Sequence, residues 1–344
     1  MQYVILKKER FNEFIANLKH HYKVMAPVDK GYNQYAFAEV DSAEDIALGY
    51  LPTILPPKKY FMPQYEKILE YAKGADGKVE AVVEYEDIVL FGVHTCDLAG
   101  IQCLNIAFSD TPKDDNYLIR KKHIGIIGLE CLDYCDEYAS CKLMDNHMPN
   151  GGYDLFFTDL GDAFMVHVNT LWGDEMVKAA GCCDKAAIAH HKQLEDVRAK
   201  KRETFKNEVD IEHQQLAPMF DKSYDSDVWQ ELGNRCLACG NCTNVCPTCY
   251  CFDISDELNL DLKTGQRTRR WDSCQHETFA EVAGGESFRE HRADRQRHRY
   301  FRKFKYPVEK YYRYFCTGCG RCSRTCMAEI NLKETLKALV KENA

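Results

Sequence analysis

RCLACGNCTNVCP, at residues 235–247, places four cysteines in the spacing C-x2-C-x2-C-x3-C-P. A second stretch, FCTGCGRCSRTCM at residues 315–327, repeats this spacing. Two copies are typical of a chain that holds two [4Fe–4S] clusters, because two-residue gaps let one tight loop present three thiolates to a compact cluster. Gly240, Gly318 and Gly320 are expected to supply turns that larger residues resist.

In such paired motifs the fourth cysteine of each run serves the other cluster. The spacing therefore predicts one cluster on Cys236, Cys239, Cys242 and Cys326, and another on Cys316, Cys319, Cys322 and Cys246. Pro247 ends the first loop, whereas Met327 stands in the corresponding place of the second, which weakens that turn without removing a ligand. The alternative is zinc, or thiols without metal, but zinc sites typically use two separated C-x2-C pairs.

The composition of the chain indicates its size class and compartment. Its 344 residues suffice for about two domains, and 18 of them are cysteines. The first residues carry charges where a secretory signal needs an apolar core, so we expect a cytoplasmic protein whose cysteines bind metal rather than form disulfides. The longest apolar run, at residues 88–93, is too short to span a membrane. A net charge of −8 argues weakly against nucleic acid as a partner.

One segment, residues 286–305, departs from this acidic balance with eight Lys or Arg against three acids. It could be a solvated helix face, a set of charges that balances nearby clusters, or a docking surface for an acidic protein such as ferredoxin. RNA binding is less favoured, because no known RNA-binding fingerprint accompanies the charge. We favour cluster neutralisation combined with subunit docking.

The first half of the chain has the pattern of an α/β domain with a mostly parallel sheet. A strand and then a helix are predicted within residues 1–25, with Phe11, Phe14, Ile15 and Leu18 on one helix face. The continuous apolar runs at 88–93 and 124–129 indicate buried parallel strands. Residues 153–158 and 163–168 suggest a hairpin, and residues 64–72 a helix.

Three regions follow from these patterns: an α/β domain at 1–189, a charged helical connector at 190–226, and a ferredoxin-like dicluster domain at 227–344. The last is expected to be α+β, with a long helical insert between the two cysteine motifs. The chain is expected to end in a helix whose apolar face includes Leu336 and Leu339. No glycine-rich nucleotide-binding motif is present anywhere in the sequence.

Seven further cysteines are candidate ligands. Cys96 follows the first buried strand, and Cys131, Cys135 and Cys141 follow the second, so neighbouring strands would bring all four to the carboxyl edge of the sheet. Our hypothesis is a third iron–sulfur cluster there; the alternative is that two or three of them are small buried hydrophobic residues. Cys249, Cys251 and Cys274 lie close to the dicluster motifs in sequence, and either line the clusters or ligate something else.

The motifs CLACGNCTNVCPTCYCFD, RTRRWDSC, AGGESFRE and CTGCGRCSRTC resemble those of one family of dicluster electron-transfer subunits. Its members are the β subunits of cytoplasmic sulfhydrogenases, which are NAD(P)-linked [NiFe] hydrogenases, and the corresponding iron–sulfur subunits of anaerobic sulfite reductases. In the first half, HTCD at 94–97, EC at 130–131 and GYDLFFTDLGDAF at 152–164 are similar to segments of the same family.

The resemblance implies a relay of single electrons between an FAD- and NAD(P)-binding subunit and a catalytic subunit that holds a metal centre. The hydrogenase complex is the first choice and sulfite reductase the alternative, with ferredoxin a further candidate partner. No catalytic residues are expected in this chain. Two rivals from other classes are a self-contained enzyme with a substrate site at Cys96 and Cys131, and an iron–sulfur sensor that binds nucleic acid.

Overall fold

The computed structural model describes residues 2–73 and 77–343. The strands are β1 Gln2–Lys7, β2 Lys23–Asp29, β3 Tyr35–Glu39, β4 Tyr65–Ala72, β5 Val79–Ala81, β6 Ile88–Val93, β7 Ile124–Leu129, β8 Leu155–Asp159, β9 Ala163–Val168, β10 Asp184–Lys185, β11 Phe252–Leu258 and β12 Thr264–Trp271. The helices are α1 Phe11–Lys19, α2 Lys58–Phe61, α3 Thr95–Ser109, α4 Asp115–Lys122, α5 Leu171–Ala180, α6 Ile188–Thr204, α7 Leu216–Lys222, α8 Val228–Arg235, α9 Asn241–Asn244, α10 Arg292–Phe304, α11 Tyr306–Tyr311, α12 Arg321–Arg324 and α13 Leu332–Glu342.

The larger sheet of the described residues has eight strands in the order β10-β1-β9-β8-β7-β6-β2-β3. Its centre is parallel, with β2, β6, β7 and β8 side by side, while the strands toward both edges pair antiparallel. Every residue of β6 and β7 is buried, as expected for strands covered on both faces. The α/β prediction is thus confirmed, and the sheet is mixed, with a parallel centre.

The first strand and helix, the two buried strands and the hairpin of β8 and β9 all occur where the sequence predicts them. On α1, Phe11, Phe14, Ile15 and Leu18 are buried. They pack with Phe91 and Phe157 in a core on one face of the sheet. A second core, on the other face, includes Leu98 and Leu104 of α3.

A second sheet of four strands, in the order β11-β12-β4-β5, joins distant parts of the chain. The helix predicted over residues 64–72 is wrong, because β4 pairs antiparallel with β12 along its whole length. Glu66 of β4 is buried between Arg120 and Arg269, at 2.8 and 2.6 Å. The insert between the cysteine motifs is correspondingly a strand hairpin, β11 and β12, followed by α10 and α11, rather than helical throughout.

The second half packs around α8, α10 and α13, with Trp229, Tyr300 and Leu336 in one core. The connector is helical as predicted, but it is not wholly solvated: Lys201 of α6 is buried, with its Nζ 3.0 Å from Glu130 Oε1. The proposed domain boundaries remain predictions. No helix in residues 2–73 or 77–343 is long and apolar enough to cross a membrane.

Candidate iron–sulfur centres

The two cysteine motifs fold into the same backbone shape. Gly240 and Gly320 both have φ of 73° and cap the short helices α9 and α12. In each motif the carbonyl of this glycine accepts from the N–H groups three and four residues later, at 3.0–3.2 Å. Repetition of the spacing in the sequence is therefore a repetition in structure.

The glycines are required by space as well as by conformation. A Cβ at Gly318, where φ is 71°, would lie 2.4 Å from the carbonyl oxygen of Ser140. One at Gly240 would lie 2.6 Å from Nε2 of His276. The prediction that these residues supply turns is confirmed. Ala238 stands where the second motif has Gly318, and it adopts a left-handed conformation with φ of 53°, which is unfavourable for a residue with a side chain.

The first motif and the end of the second enclose a cavity of about 30 Å³. Its lining includes the four thiols predicted for the first cluster, from Cys236, Cys239, Cys242 and Cys326. Cys239 is exposed, so this cavity lies near the surface.

The other predicted set, Cys316, Cys319, Cys322 and Cys246, lines a second cavity of the same size. Ser140 and Tyr138 of the N-terminal half close it on one side, and the N–H of Ser140 donates to the carbonyl of Gly318 at 2.8 Å. Cys322 lines both cavities, so the two adjoin.

The side chains around these cavities fit a group that needs thiolate ligands. Burial raises the pKa of Cys242 to about 12 and that of Cys319 to about 11, so the charged forms require compensation by positive charge. Arg299 of α10 lines both cavities, and its buried Nε has no hydrogen-bond partner among the described residues. Burial opposes the charge of Arg299, but Cys242 and Cys322 hold its pKa above the ordinary value.

Helix α10 contains most of the basic segment and carries two more groups to the cysteines. Lys303 is buried and donates to Thr248 Oγ1 at 2.6 Å; burial opposes its charge, yet Cys246 and Cys249 raise its pKa. Gln296 donates from Nε2 to Cys236 Sγ at 2.9 Å. The neutralising role expected of this segment fits these contacts, whereas its role in docking stays a prediction.

The N-terminal cysteines lie at the carboxyl edge of the sheet, as predicted. Cys96 begins α3 directly after β6, Cys131 follows the neighbouring β7, and a hydrogen bond with Cys131 raises the pKa of Cys135 ahead of the effect of burial. Cys141 contacts the second motif, with Sγ 3.6 Å from the carbonyl of Gly318. Their convergence on one cluster remains a prediction.

Cys249, Cys251 and Cys274 line a third and larger cavity, of about 360 Å³, which also borders Arg299 and Lys303. Cys182 and Cys183 lie elsewhere, beside the core of the large sheet. Within residues 2–73 and 77–343, no three His, Cys, Asp or Glu side chains are arranged to hold a single metal ion.

Comparison with known proteins agrees with this geometry. Residues 235–330 match the 4Fe-4S dicluster domain family. The chain is also 36% identical, over 96% of its own length and 96% of the relative's, to sulfhydrogenase 2 subunit beta of Pyrococcus furiosus. The chain belongs to the sulfhydrogenase β-subunit family. The resemblance read from the motifs is thereby confirmed, together with an iron–sulfur domain. No solved structure matches significantly.

Sequence reasoning missed several residues that complete the centre of this family member. In the sequence Gln296 and Arg299 are only parts of a basic segment, and nothing local indicates that they approach Cys236 and Cys242. Their spacing of three residues on a helix is the available signal, since it puts both on one face. Asp97 and Arg321 pair across the two halves of the chain, and no sequence signal predicts that contact.

Proposed function

We propose that the chain is the electron-transfer subunit of a cytoplasmic [NiFe] hydrogenase complex of the sulfhydrogenase type. It relays single electrons between a subunit that handles NAD(P)H through a flavin and a subunit that holds the catalytic metal centre. The observation that carries this proposal is the pair of adjoining cysteine-lined cavities, which share Cys322 and Arg299. When bound, a [4Fe–4S] cluster accepts and donates one electron without making or breaking bonds in a substrate.

The chain's own residues hold and tune this relay. The two predicted sets of four thiolates provide the ligands, Cys236, Cys239, Cys242 and Cys326 for one cluster and Cys316, Cys319, Cys322 and Cys246 for the other. Arg299 and Lys303 offset the negative charge of the thiolates in a buried setting. Gln296 donates a hydrogen bond to the ligand sulfur of Cys236, and such bonds are one determinant of reduction potential.

The surroundings of the two cavities support a direction for the path. The rim of the first cavity is exposed and apolar, with Leu237 61% and Met327 82% exposed. Apolar side chains beside an exposed ligand, Cys239, suit the docking of a partner subunit or a ferredoxin. The second cavity lies under the N-terminal half, so a second partner would reach it through that half.

A third iron–sulfur cluster at Cys96, Cys131, Cys135 and Cys141 is part of the proposal. His94 supports it, because its buried Nδ1 lacks a hydrogen-bond partner within the described part of the chain, beside Cys96 in sequence. The double variant Cys96→Ser, Cys131→Ser should contain about four iron atoms fewer than the unaltered chain. Unchanged iron content would remove this cluster from the proposal and leave the other two.

Anaerobic isolation of the chain with its native partners tests the choice of complex. Nickel together with flavin in the purified complex would support the hydrogenase; sirohaem without nickel would assign the chain to a sulfite reductase instead. Purified alone, the chain should exchange electrons with artificial dyes and turn over no physiological substrate. Turnover by the isolated chain would overturn the relay in favour of a self-contained enzyme.

A further inference from the structure

The largest of the cysteine-lined cavities, of about 360 Å³, is bordered by three thiols that neither predicted cluster uses. Cys249 and Cys274 are buried, and Cys251 is half-buried. Cys249 lies three residues after Cys246, a predicted ligand of the second cluster, so this cavity begins where that cluster ends. Three thiols from two chain segments around one cavity are the arrangement already seen at the other two cavities.

The backbone holds these cysteines in place. Cys251 directly precedes β11 and Cys274 follows β12, and the N–H of Asp272 donates to the carbonyl of Cys251 at 3.0 Å, which closes the open end of the hairpin. The carbonyl of Cys249 accepts from the buried Nζ of Lys58 at 2.9 Å. The thiols are therefore fixed by a hairpin and a buried lysine rather than by a loose loop.

The opposite wall is cationic and belongs to α10. It presents Arg299, Arg302, Lys303 and the imidazole of His298. Arg299 is 6% exposed, and its unpartnered Nε is a buried donor that nothing within the described residues satisfies. No carboxylate is among the described side chains that line the cavity, whose remaining walls are largely aromatic. Such a cavity favours an anionic, sulfur-ligated group over a free cation.

We infer that this cavity binds a further [4Fe–4S] cluster, held by Cys249, Cys251 and Cys274 with His298 as the fourth ligand. Thiolate and imidazole are both established ligands of iron–sulfur clusters. The thiols are not arranged around a single ion, and this holds equally for the eight cysteines of the dicluster motifs, since cluster ligands stand at separate corners. The inference rests on the proposed relay, which it extends by one step beyond Cys246.

The test uses the full chain purified anaerobically in its complex. The triple variant Cys249→Ser, Cys251→Ser, Cys274→Ser is compared with the unaltered chain for iron, acid-labile sulfide and the EPR signals of the reduced state. We expect the variant to lose about four iron and four sulfide while the two dicluster signals remain. The matched control, Cys182→Ser with Cys183→Ser, should lose none, because these cysteines lie beside the core of the large sheet and line none of the three cavities.

Two results would overturn the inference: an iron and sulfide content in the triple variant equal to that of the unaltered chain, or one zinc per unaltered chain that the triple variant lacks. Absence of the dicluster signals from the unaltered chain would instead refute the proposed relay, so the two failures differ. The variant Cys96→Ser, Cys131→Ser, measured in parallel, separates this cavity from the N-terminal cysteines.

Should the triple variant fail to fold, thiol labelling of the unaltered chain gives the same answer. Iodoacetamide should leave Cys249, Cys251 and Cys274 unmodified until an oxidant destroys the clusters, as shown by peptide mass spectrometry. Modification of all three thiols while the EPR signals persist would overturn the inference. His298→Cys should keep the iron content and change the EPR signal of this cluster alone, whereas an unchanged signal would remove His298 as a ligand.

Discussion

Asp97 and Arg321 form a buried two-point ion pair that joins the large sheet to the second cysteine motif. Nη1 of Arg321 lies 2.6 Å from Oδ1 of Asp97, and Nη2 lies 2.8 Å from Oδ2. Nε of Arg321 donates to the carbonyl of Thr53 at 2.7 Å. Asp97 stands in the first turn of α3, where the helix dipole favours a negative charge. Arg321 follows Gly320 directly, so the pair holds the loop of Cys319 against the sheet.

Asp97→Ala should destabilise the chain strongly, because it leaves the guanidinium of Arg321 buried without its counter-ion. Loss of one partner of a buried pair typically costs about 3–5 kcal/mol. The measurement is the free energy of unfolding in urea under anaerobic conditions. Asp256→Ala is the control, since it breaks a pair with Arg267 at 2.7 Å whose side chains are 49% and 43% exposed. The control should cost less than about 1 kcal/mol; equal losses in the two variants would show that the buried pair contributes nothing special.

Gln296→Leu should lower the midpoint potential of the first cluster. The amide of Gln296 donates to Cys236 Sγ, and reduction adds negative charge that this donor stabilises. A net hydrogen bond contributes about 0.5–1.5 kcal/mol, and about 1.4 kcal/mol equals about 59 mV for one electron. We therefore expect a fall of roughly 20–60 mV in an EPR-monitored redox titration, with the potential of the second cluster unchanged.

Gln230→Leu is the matched control for Gln296→Leu, because it makes the same substitution on an exposed face of α8. Both potentials should stay constant in this variant. A shift of the second cluster alone in the Gln296 variant would show that the ligand sets are exchanged between the two motifs.

The sequence predicts those parts of this centre that depend on local spacing. Two copies of one cysteine motif fold into the same loop, because a left-handed glycine and the helix that follows it are encoded within a few residues. The exchange of Cys326 and Cys246 between the two ligand sets, which is predicted from the general behaviour of paired motifs, also needs only the spacing. The apolar runs of β6 and β7 are equally readable, since full burial removes alternation.

What the sequence does not predict is contact between distant segments. The pattern of β4 suggests a helix because its partner, β12, lies almost two hundred residues later, and only that pairing gives Glu66 a buried place between two arginines. The basic segment has several interpretations for the same reason. Its charges have a clear role only when α10 is packed across the cavities, with Arg299 inside and Arg297 toward solvent.

Arg299→Gln should lower the potentials of both dicluster centres together. A unit charge contributes about 1.4 kcal/mol even at about 12 Å when the effective dielectric constant is about 20, which equals about 59 mV for one electron. Because Arg299 lines both cavities, we expect both midpoint potentials to fall by roughly 50 mV or more.

Arg302→Gln is the control on the same helix for Arg299→Gln. Arg302 hydrogen-bonds to the hydroxyl of Tyr250 and, of the three cavities, borders only the larger one. Its removal should shift the two dicluster potentials much less. Equal shifts in the two variants would mean that the net charge of the helix matters and that the position of Arg299 does not.

Glu130 should make the stability of the chain depend on pH. Burial opposes its charge, but Lys201 and Arg198 outweigh that effect and hold the pKa of Glu130 below its ordinary value. A carboxylate with a lowered pKa in the folded state stabilises that state above its unfolded pKa, near 4.5, and this contribution is lost as the pH falls through the lower folded value.

The measurement is the difference in unfolding free energy between the unaltered chain and Glu130→Gln, from pH 7 down to pH 4. At pH 7 the variant leaves Lys201 buried without its counter-ion, so the difference should be about 3–5 kcal/mol. It should begin to shrink only toward the acid end of this range, where Glu130 of the unaltered chain starts to gain a proton. Acid damage to the clusters affects both proteins and cancels in the difference. Glu231→Gln, whose pair with Arg235 is exposed, should show a small difference that does not change with pH. A difference for Glu130→Gln that grows toward low pH would contradict the assignment of a charged, ion-paired Glu130.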